Sequence, residues 1–499
     1  MRKIQKVVIV GGGTSGWMSA AMLAKAFQGI LDITLVESDA IGTIGVGEAT
    51  IPPIRAFNHF LGLDEEEFVR ETKGTYKLAI EFQNWGQVGE SYLHGFGYVG
   101  RKLGITPFHV FWLKALKEGY AGKLEDYSFN NLACRSGKFA PVEKINNTPL
   151  EGLSWAFHFD AGLYAQYLRR YCEAKGVTRV EGKITDVKQC PETGVIDSVS
   201  LEGGQLLEGD FFVDCSGFRA LLSAGALGSE YEDWSHWLPC DSALAVPSSN
   251  KGAQIRPYTQ SIAHSAGWQW RIPLQHRTGN GHVYSSSFMD DKVASDILLG
   301  NLEGEPLKDP MQLRFKAGCR KSSWVKNCVA IGLSSGFIEP LESTSIHLVQ
   351  TAVSFLLKHF PSTTACEGNA DAFNRRMSFE YETIRDFIIL HYHQTARTDS
   401  DFWNYVRTME IPDSLKAKME DFRSHGYLSR VDDELFTEVG WLQVLVGQGM
   451  VPENYNRIGD TVSSPEVKGY LGNLNSIISN AVRQLPTHEA FLKSRYPMA

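Results

Sequence analysis

Residues 6–16 read Lys6-Val7-Val8-Ile9-Val10-Gly11-Gly12-Gly13-Thr14-Ser15-Gly16, and this stretch decides the fold. The apolar, β-branched run after Lys6 predicts a strand buried on both faces. Trp17-Met18-Ser19-Ala20-Ala21-Met22-Leu23-Ala24 follows without proline or glycine and predicts a helix. Between the two stands G-x-G-x-x-G. Gly11 permits the tight turn, Gly13 lets backbone approach a pyrophosphate, and Gly16 lets the helix pack closely on the strand. A second strand, Asp32-Ile33-Thr34-Leu35-Val36, ends at Glu37, about 20 residues beyond the fingerprint, where an acid suits a ribose hydroxyl. Together these predict a dinucleotide-binding α/β module with Gly11, Gly13, Thr14, Ser15, Gly16, Glu37 and Ser38 at the cofactor.

Composition sets the outer bounds. The 499 residues are 43% apolar and 21% charged, enough chain for a substantial core in two or three domains. A net charge of −8 argues against a general nucleic-acid binder, which needs a Lys/Arg surplus to neutralise phosphates. The eight cysteines form no C-x-x-C pair and no metal-ligand spacing, so they read as reduced thiols in a cytoplasmic protein, with no metal site. No segment reaches the roughly 18 uncharged apolar residues of a membrane span.

Further along, Ile44-Gly45-Val46-Gly47-Glu48-Ala49 offers glycines that let backbone lie against a flat ring system, and Pro52-Pro53 stiffen its exit. In Gly74-Thr75-Tyr76-Lys77-Leu78-Ala79-Ile80-Glu81-Phe82-Gln83-Asn84-Trp85-Gly86 the apolar residues Tyr76, Leu78, Ile80 and Phe82 alternate. One strand with Lys77 on its polar, solvent-facing side is the expectation from alternation alone. Asp210 to Arg219 reads as another strand ending in a turn. Trp268 and Trp270 fall on one face of a strand closed by Pro273, an arrangement that serves a core as readily as a site.

Residues 331–349, Ile-Gly-Leu-Ser-Ser-Gly-Phe-Ile-Glu-Pro-Leu-Glu-Ser-Thr-Ser-Ile-His-Leu-Val, follow a buried strand at 328–331. Two glycines and Pro340 force a loop, and Ser343-Thr344-Ser345 supply hydroxyls at a helix start. A helix start offers free N–H groups and a positive dipole end to an anion. Glu342 precedes it, as a cap or as a group with chemistry. Past about residue 360 the apolar spacing is helical.

These motifs resemble the flavin-dependent halogenases of the tryptophan-halogenase family over nearly the whole chain. The residues that carry the resemblance are the glycine fingerprint, Lys77 in its Tyr-Lys-Leu setting, Trp268-x-Trp270-x-Ile272-Pro273, and Pro340-Leu341-Glu342-Ser343-Thr344. The resemblance implies a Rossmann-like FAD-binding module of the hydroxylase type over 1–360, with substrate-site segments interleaved at about 60–150 and 230–320. A helical subdomain over 361–499 would complete the substrate site. It implies that a separate reductase supplies FADH2, which reacts with O2 to a flavin hydroperoxide that oxidises chloride or bromide to hypohalous acid. The acid passes through the protein interior to Lys77, and Glu342 accepts charge or a proton as an electron-rich, indole-like ring is halogenated. The resemblance also places Ile44, Gly47, Ala49, Leu333 and Ile346 at the cofactor, Thr344 and Ser345 at the halide, and His94, Phe96 and Trp441 in the substrate pocket. It leaves a homodimer open, and involves neither nucleic acid nor membrane.

Two departures stand out. Family members typically carry glycine where this chain has Ser345, and the added hydroxyl leads us to expect a preference for bromide. Trp441 and Tyr455 are present, but no ammonium-and-carboxylate clamp for a free amino acid is legible. The competing reading is a flavin-dependent aromatic monooxygenase, which needs neither Lys77 nor the tryptophan pair. A non-catalytic FAD-binding protein is a third.

Overall fold

The computed structural model describes residues 3–41, 47–250 and 254–496. Two compact units emerge. The first joins Met1–Gly74, Phe159–Asp241 and Arg314–Glu382, and the second joins Thr75–His158, Ser242–Leu313 and Thr383–Ala499.

In the first unit, Lys6–Val10 is the inner strand of a six-stranded sheet in the order Trp324–Val325, Cys328–Ala330, Phe211–Asp214, Lys6–Val10, Asp32–Glu37, Thr178–Glu181. All neighbours are parallel except the first pair. Parallel strands covered on both faces must be apolar throughout, as Val7 to Val10 are. The helix Thr14–Ala26 packs against the helices Ala161–Ala174 and Ser345–Lys358, which explains why it is buried from Gly16 through Ala24. Register pairs Val10 with Asp214 and Asp214 with Ala330. The loops after these three strands therefore leave the sheet at one edge, the carboxyl edge, where open α/β sheets bind ligands. The region 179–209 adds an antiparallel three-stranded sheet, Leu206–Glu208, Ile196–Leu201, Ile184–Gln189.

The second unit is built on a seven-stranded sheet in the order Met311–Arg314, Ser242–Ser248, Thr278–Tyr284, Gly267–Pro273, Tyr258–His264, Ala79–Gln83, Ser91–Gly95. Register places Phe82, Ser261, Trp270 and Gly281 on one face, and Glu81, Gln260, Arg271 and Asn280 on the other. After residue 360 the described chain is mainly helical, with Glu367–His393, Asp401–Thr408, Asp413–His425, Glu438–Gly447, Ser464–Gln484 and His488–Arg495.

One expectation is corrected here. Gly74 to Gly86 is not one strand: Thr75–Lys77 pairs with Ala156–Asp160, whereas Ala79–Gln83 pairs with Tyr258–His264 and Ser91–Gly95. Leu78 is the switch point, its N–H donating to the Pro257 carbonyl and its own carbonyl accepting from Phe96 N–H and Asn130 Nδ2. Thr75, Tyr76 and Lys77 are all buried, Lys77 fully, so the lysine does not face solvent.

Candidate active site

The glycine turn has a separate reason for each glycine. Gly11 sits at φ +107°, and a Cβ there would fall 2.2 Å from the Cys215 carbonyl oxygen. A Cβ on Gly16 would fall 1.9 Å from the Gly11 carbonyl oxygen, so this position closes helix onto turn. A Cβ on Gly13 would meet nothing within 4 Å. Gly13 therefore faces open space at a helix start, as a pyrophosphate cradle requires. Thr14 and Ser15 open the helix beside it, half-buried. Glu37 ends its strand as expected, and its Oε1 accepts from Arg179 Nε at 2.6 Å. Ser38 follows with its hydroxyl accepting from Ala40 N–H at 3.4 Å. Gly47 and Ala49 are buried in a short strand, and Ile44 lies outside the described residues. Between them, burial pushes the Glu48 carboxyl up to about 7.

Sequence reading missed Asp214. It is fully buried, and its carboxylate accepts from Ser216 N and Oγ, from Leu222 N, from Ser223 N and Oγ, and from Ser334 Oγ at 3.3 Å. One carboxylate thereby ties the turn after its own strand to the loop at 332–335. The usable signal was an acid ending an apolar strand, with Ser216 two residues beyond it. Within the 332–335 loop Leu333 is half-buried, and Gly332 comes so close to Ser15 that a Cβ would lie 2.8 Å from Ser15 Cβ.

Downstream, Pro340–Glu342 forms a single tight turn, Glu342 is buried, and Ser343 takes the left-handed conformation at φ +61°. That conformation is costly for a residue with a Cβ and clusters at functional sites. The helix Ser345–Lys358 then begins, with Ile346 buried in its first turn. The expected hydroxyl cap is not made: Thr344 has near-helical backbone angles and its side chain bonds no helix N–H. Its Oγ1 is buried and has no hydrogen-bond partner. A buried hydroxyl left over at a helix start suits an anion.

In the second unit, the Lys77 Nζ lies 5.2 Å from the centroid of the Phe96 ring, within cation–π range. His94, buried in the strand Ser91–Gly95, has its ring 5.6 Å from Phe387 and 6.2 Å from Phe436. Phe387 and Phe436 stack at 3.8 Å, and Trp441 meets Phe387 edge-on at 4.9 Å. The Trp441 Nε1 is buried with no partner, and the Lys418 ammonium sits 4.4 Å above its ring while bonding both oxygens of Glu434. Gln443 holds this wall together, accepting from Gly95 N–H at 3.1 Å and donating to the Gly95 carbonyl at 3.0 Å. Gln443, Phe387, Phe436 and Lys418 were invisible as site residues in sequence, because contacts between distant segments bring them there. Tyr455 stands apart from this set and donates to Asp460.

Trp268 and Trp270 share a face as expected, with ring centroids 6.1 Å apart, and Ile272 and Pro273 complete the strand. Gly281 lies opposite Trp270, and a Cβ on it would fall 2.0 Å from the indole. The indole therefore lies flat over Gly281.

A profile of the tryptophan halogenase family matches residues 6–464. The tryptophan 7-halogenase RebH of Lentzea aerocolonigenes is 35% identical over 99% of both chains. Among solved structures, the flavin-dependent halogenase Xcc4156 from Xanthomonas campestris superposes with a TM-score of 0.96 at 45% identity, covering 100% of this chain and 99% of its own. BrvH, a flavin-dependent halogenase from Brevundimonas sp. BAL3, superposes with a TM-score of 0.96 at 42% identity, covering 99% of this chain and all of its own.

Proposed function

Because the chain belongs to the tryptophan halogenase family and is a flavin-dependent halogenase, we propose that it halogenates an indole-like aromatic with chloride or bromide, using FADH2 delivered by a separate reductase. The observation that carries the reading is Lys77, a lysine fully buried against the face of an aromatic ring. Burying an ammonium is costly unless the group has work there.

Gly11 to Gly16 and the start of the following helix would hold the cofactor's pyrophosphate, and Glu37 its ribose. When bound and reduced, the cofactor supplies the chemistry that activates O2 and oxidises halide to hypohalous acid. Thr344, through its free hydroxyl, and the helix start at Ser345 would hold the halide. Lys77 receives the hypohalous acid: its ammonium hydrogen-bonds the oxygen and polarises the oxygen–halogen bond toward an electrophilic halogen. The ring carbon forms the new bond to halogen as the oxygen–halogen bond breaks, the departing hydroxide takes a proton from the Lys77 ammonium and leaves as water, and Glu342 is assigned to accept the ring proton. Burial around Lys77 excludes water, to which hypohalous acid would otherwise be lost as a diffusing oxidant. His94, Phe96 and Trp441 present apolar faces and an indole N–H to a flat aromatic. Its identity as tryptophan is not required, since Lys418 and Glu434 pair with each other where a free amino acid would need separate partners.

The test supplies reductase, bromide and indole, with products read by the halogen isotope pattern in mass spectrometry. Wild-type protein should form bromoindole. Lys77→Ala should form none, while still oxidising reduced flavin and releasing hypobromite or peroxide. Oxygenated product without halogen would favour the monooxygenase reading.

A further inference from the structure

The three-residue strand that carries Lys77 is gripped on both preceding residues by buried histidines that no motif predicts. His158, opposite Thr75 in the ladder, is fully buried and bonded through both ring nitrogens. Its Nδ1 is 2.9 Å from Thr75 Oγ1 and its Nε2 is 2.9 Å from Thr259 Oγ1. Thr75 Oγ1 donates its own hydrogen to the Pro273 carbonyl at 2.6 Å, and a carbonyl can only accept. Thr75 therefore accepts from His158, so Nδ1 carries the hydrogen and Nε2 of the neutral ring accepts from Thr259.

His488, the first residue of the helix His488–Arg495 and also fully buried, is constrained still more tightly. Its Nε2 lies 3.2 Å from the backbone N–H of Tyr76, a donor, so Nε2 must be a bare lone pair. Its Nδ1–H donates to the Ile255 carbonyl at 3.0 Å. A protonated ring would set N–H against N–H at Tyr76. The Tyr76 side chain is pinned as well, stacked on Phe139 at 4.2 Å and bonded to the Tyr496 hydroxyl at 2.9 Å.

We propose that His158 and His488 are positioning residues for Lys77: both neutral with hydrogen on Nδ1, they fix Thr75 and Tyr76 and thereby aim the lysine that follows. Two neutral rings hold the strand without placing a second cation beside the ammonium. Burial lowers the pKa of both, and the nearby Lys77 charge lowers that of His158 further. The inference rests on the role proposed for Lys77, but its first test does not.

Nitrogen-15 NMR of histidine-labelled wild-type protein at pH 7 should show the His158 and His488 rings with hydrogen on Nδ1, each assigned by its loss in His158→Asn or His488→Gln. A hydrogen on Nε2 or a doubly protonated ring at either position overturns the proposal whatever Lys77 does. The second test measures bromination of indole by the reductase-coupled enzyme beside the total hypobromite and peroxide released. His488→Phe should lower kcat for bromination at least tenfold with KM and oxidant release near wild type. His488→Gln, whose side-chain oxygen can still accept from Tyr76, should recover most of that loss. Equal loss in the Phe and Gln variants, or oxidant release falling in step with bromination, would reduce His488 to a merely structural residue. If Lys77→Ala brominates normally while the NMR result holds, the role of Lys77 fails and the tautomer assignment stands.

Discussion

The sharpest separation of cofactor binding from folding lies in two Gly→Ala changes three residues apart, at Gly13 and Gly16. Gly13 has φ −73° and ψ −176°, which any residue can adopt, and its methyl would enter open space. Gly13→Ala should therefore leave the apoprotein intact, or stabilise it by about 0.4–1 kcal/mol through the unfolded chain. The same methyl stands where a pyrophosphate must approach backbone, so FAD affinity should fall at least about tenfold, about 1.4 kcal/mol. Gly16→Ala behaves oppositely. Its methyl would sit 1.9 Å from the Gly11 carbonyl oxygen, far inside contact distance to a backbone atom that cannot rotate away. Overpacking of this kind costs about 1–3 kcal/mol, so the apoprotein should melt earlier and FAD affinity should fall as a consequence. Thermal melts of both apoproteins, paired with FAD titrations followed by flavin fluorescence, measure the two quantities separately. Wild-type FAD affinity in Gly13→Ala would refute the assignment of this turn to the cofactor.

Three further outcomes are expected. Ser345→Gly should shift halide selection toward chloride in an equimolar chloride and bromide competition; an unchanged product ratio removes Ser345 from halide selection. Gly281→Ala should force the Trp270 indole off the strand beneath it, destabilising the fold by about 1–3 kcal/mol and changing tryptophan fluorescence; an unaltered melt and spectrum would contradict the flat packing. Burial pushes His488 down to about 4, below its ordinary 6.5, so between these values the unfolded chain binds the extra proton and stability rises with pH. That stability is complete above pH 6.5 and is lost as pH falls through 4, at up to about 1.4 kcal/mol per pH unit. The stability advantage of wild type over His488→Gln in urea should therefore shrink from pH 7 to pH 4, and a constant difference would contradict it.

The glycine fingerprint, the acid at Glu37 and the apolar strands were legible in sequence because each depends on neighbours within a few residues. Strand, turn and helix are local, and only glycine tolerates the approach at Gly11 and Gly16. The tryptophan pair was legible in the same way, since two residues of strand place both rings on one face. Lys77 was not. Alternation sent it to solvent, because a period of two assumes one sheet with one wet face. The chain instead changes sheets at Leu78, pairing with segments remote in sequence, and Thr75, Tyr76 and Lys77 are all buried. The cap expected at Thr344 failed for a related reason: its backbone turns helical one residue early and leaves the hydroxyl unspent.

Sequence by itself therefore determined the nucleotide module, the family and the segments that matter, through short-range patterns that survive without coordinates. Tertiary structure decided which of those residues are buried, what they touch and which proton each histidine carries. Those properties belong to contacts closed over hundreds of residues, such as His488 with Tyr76, and no local pattern encodes them.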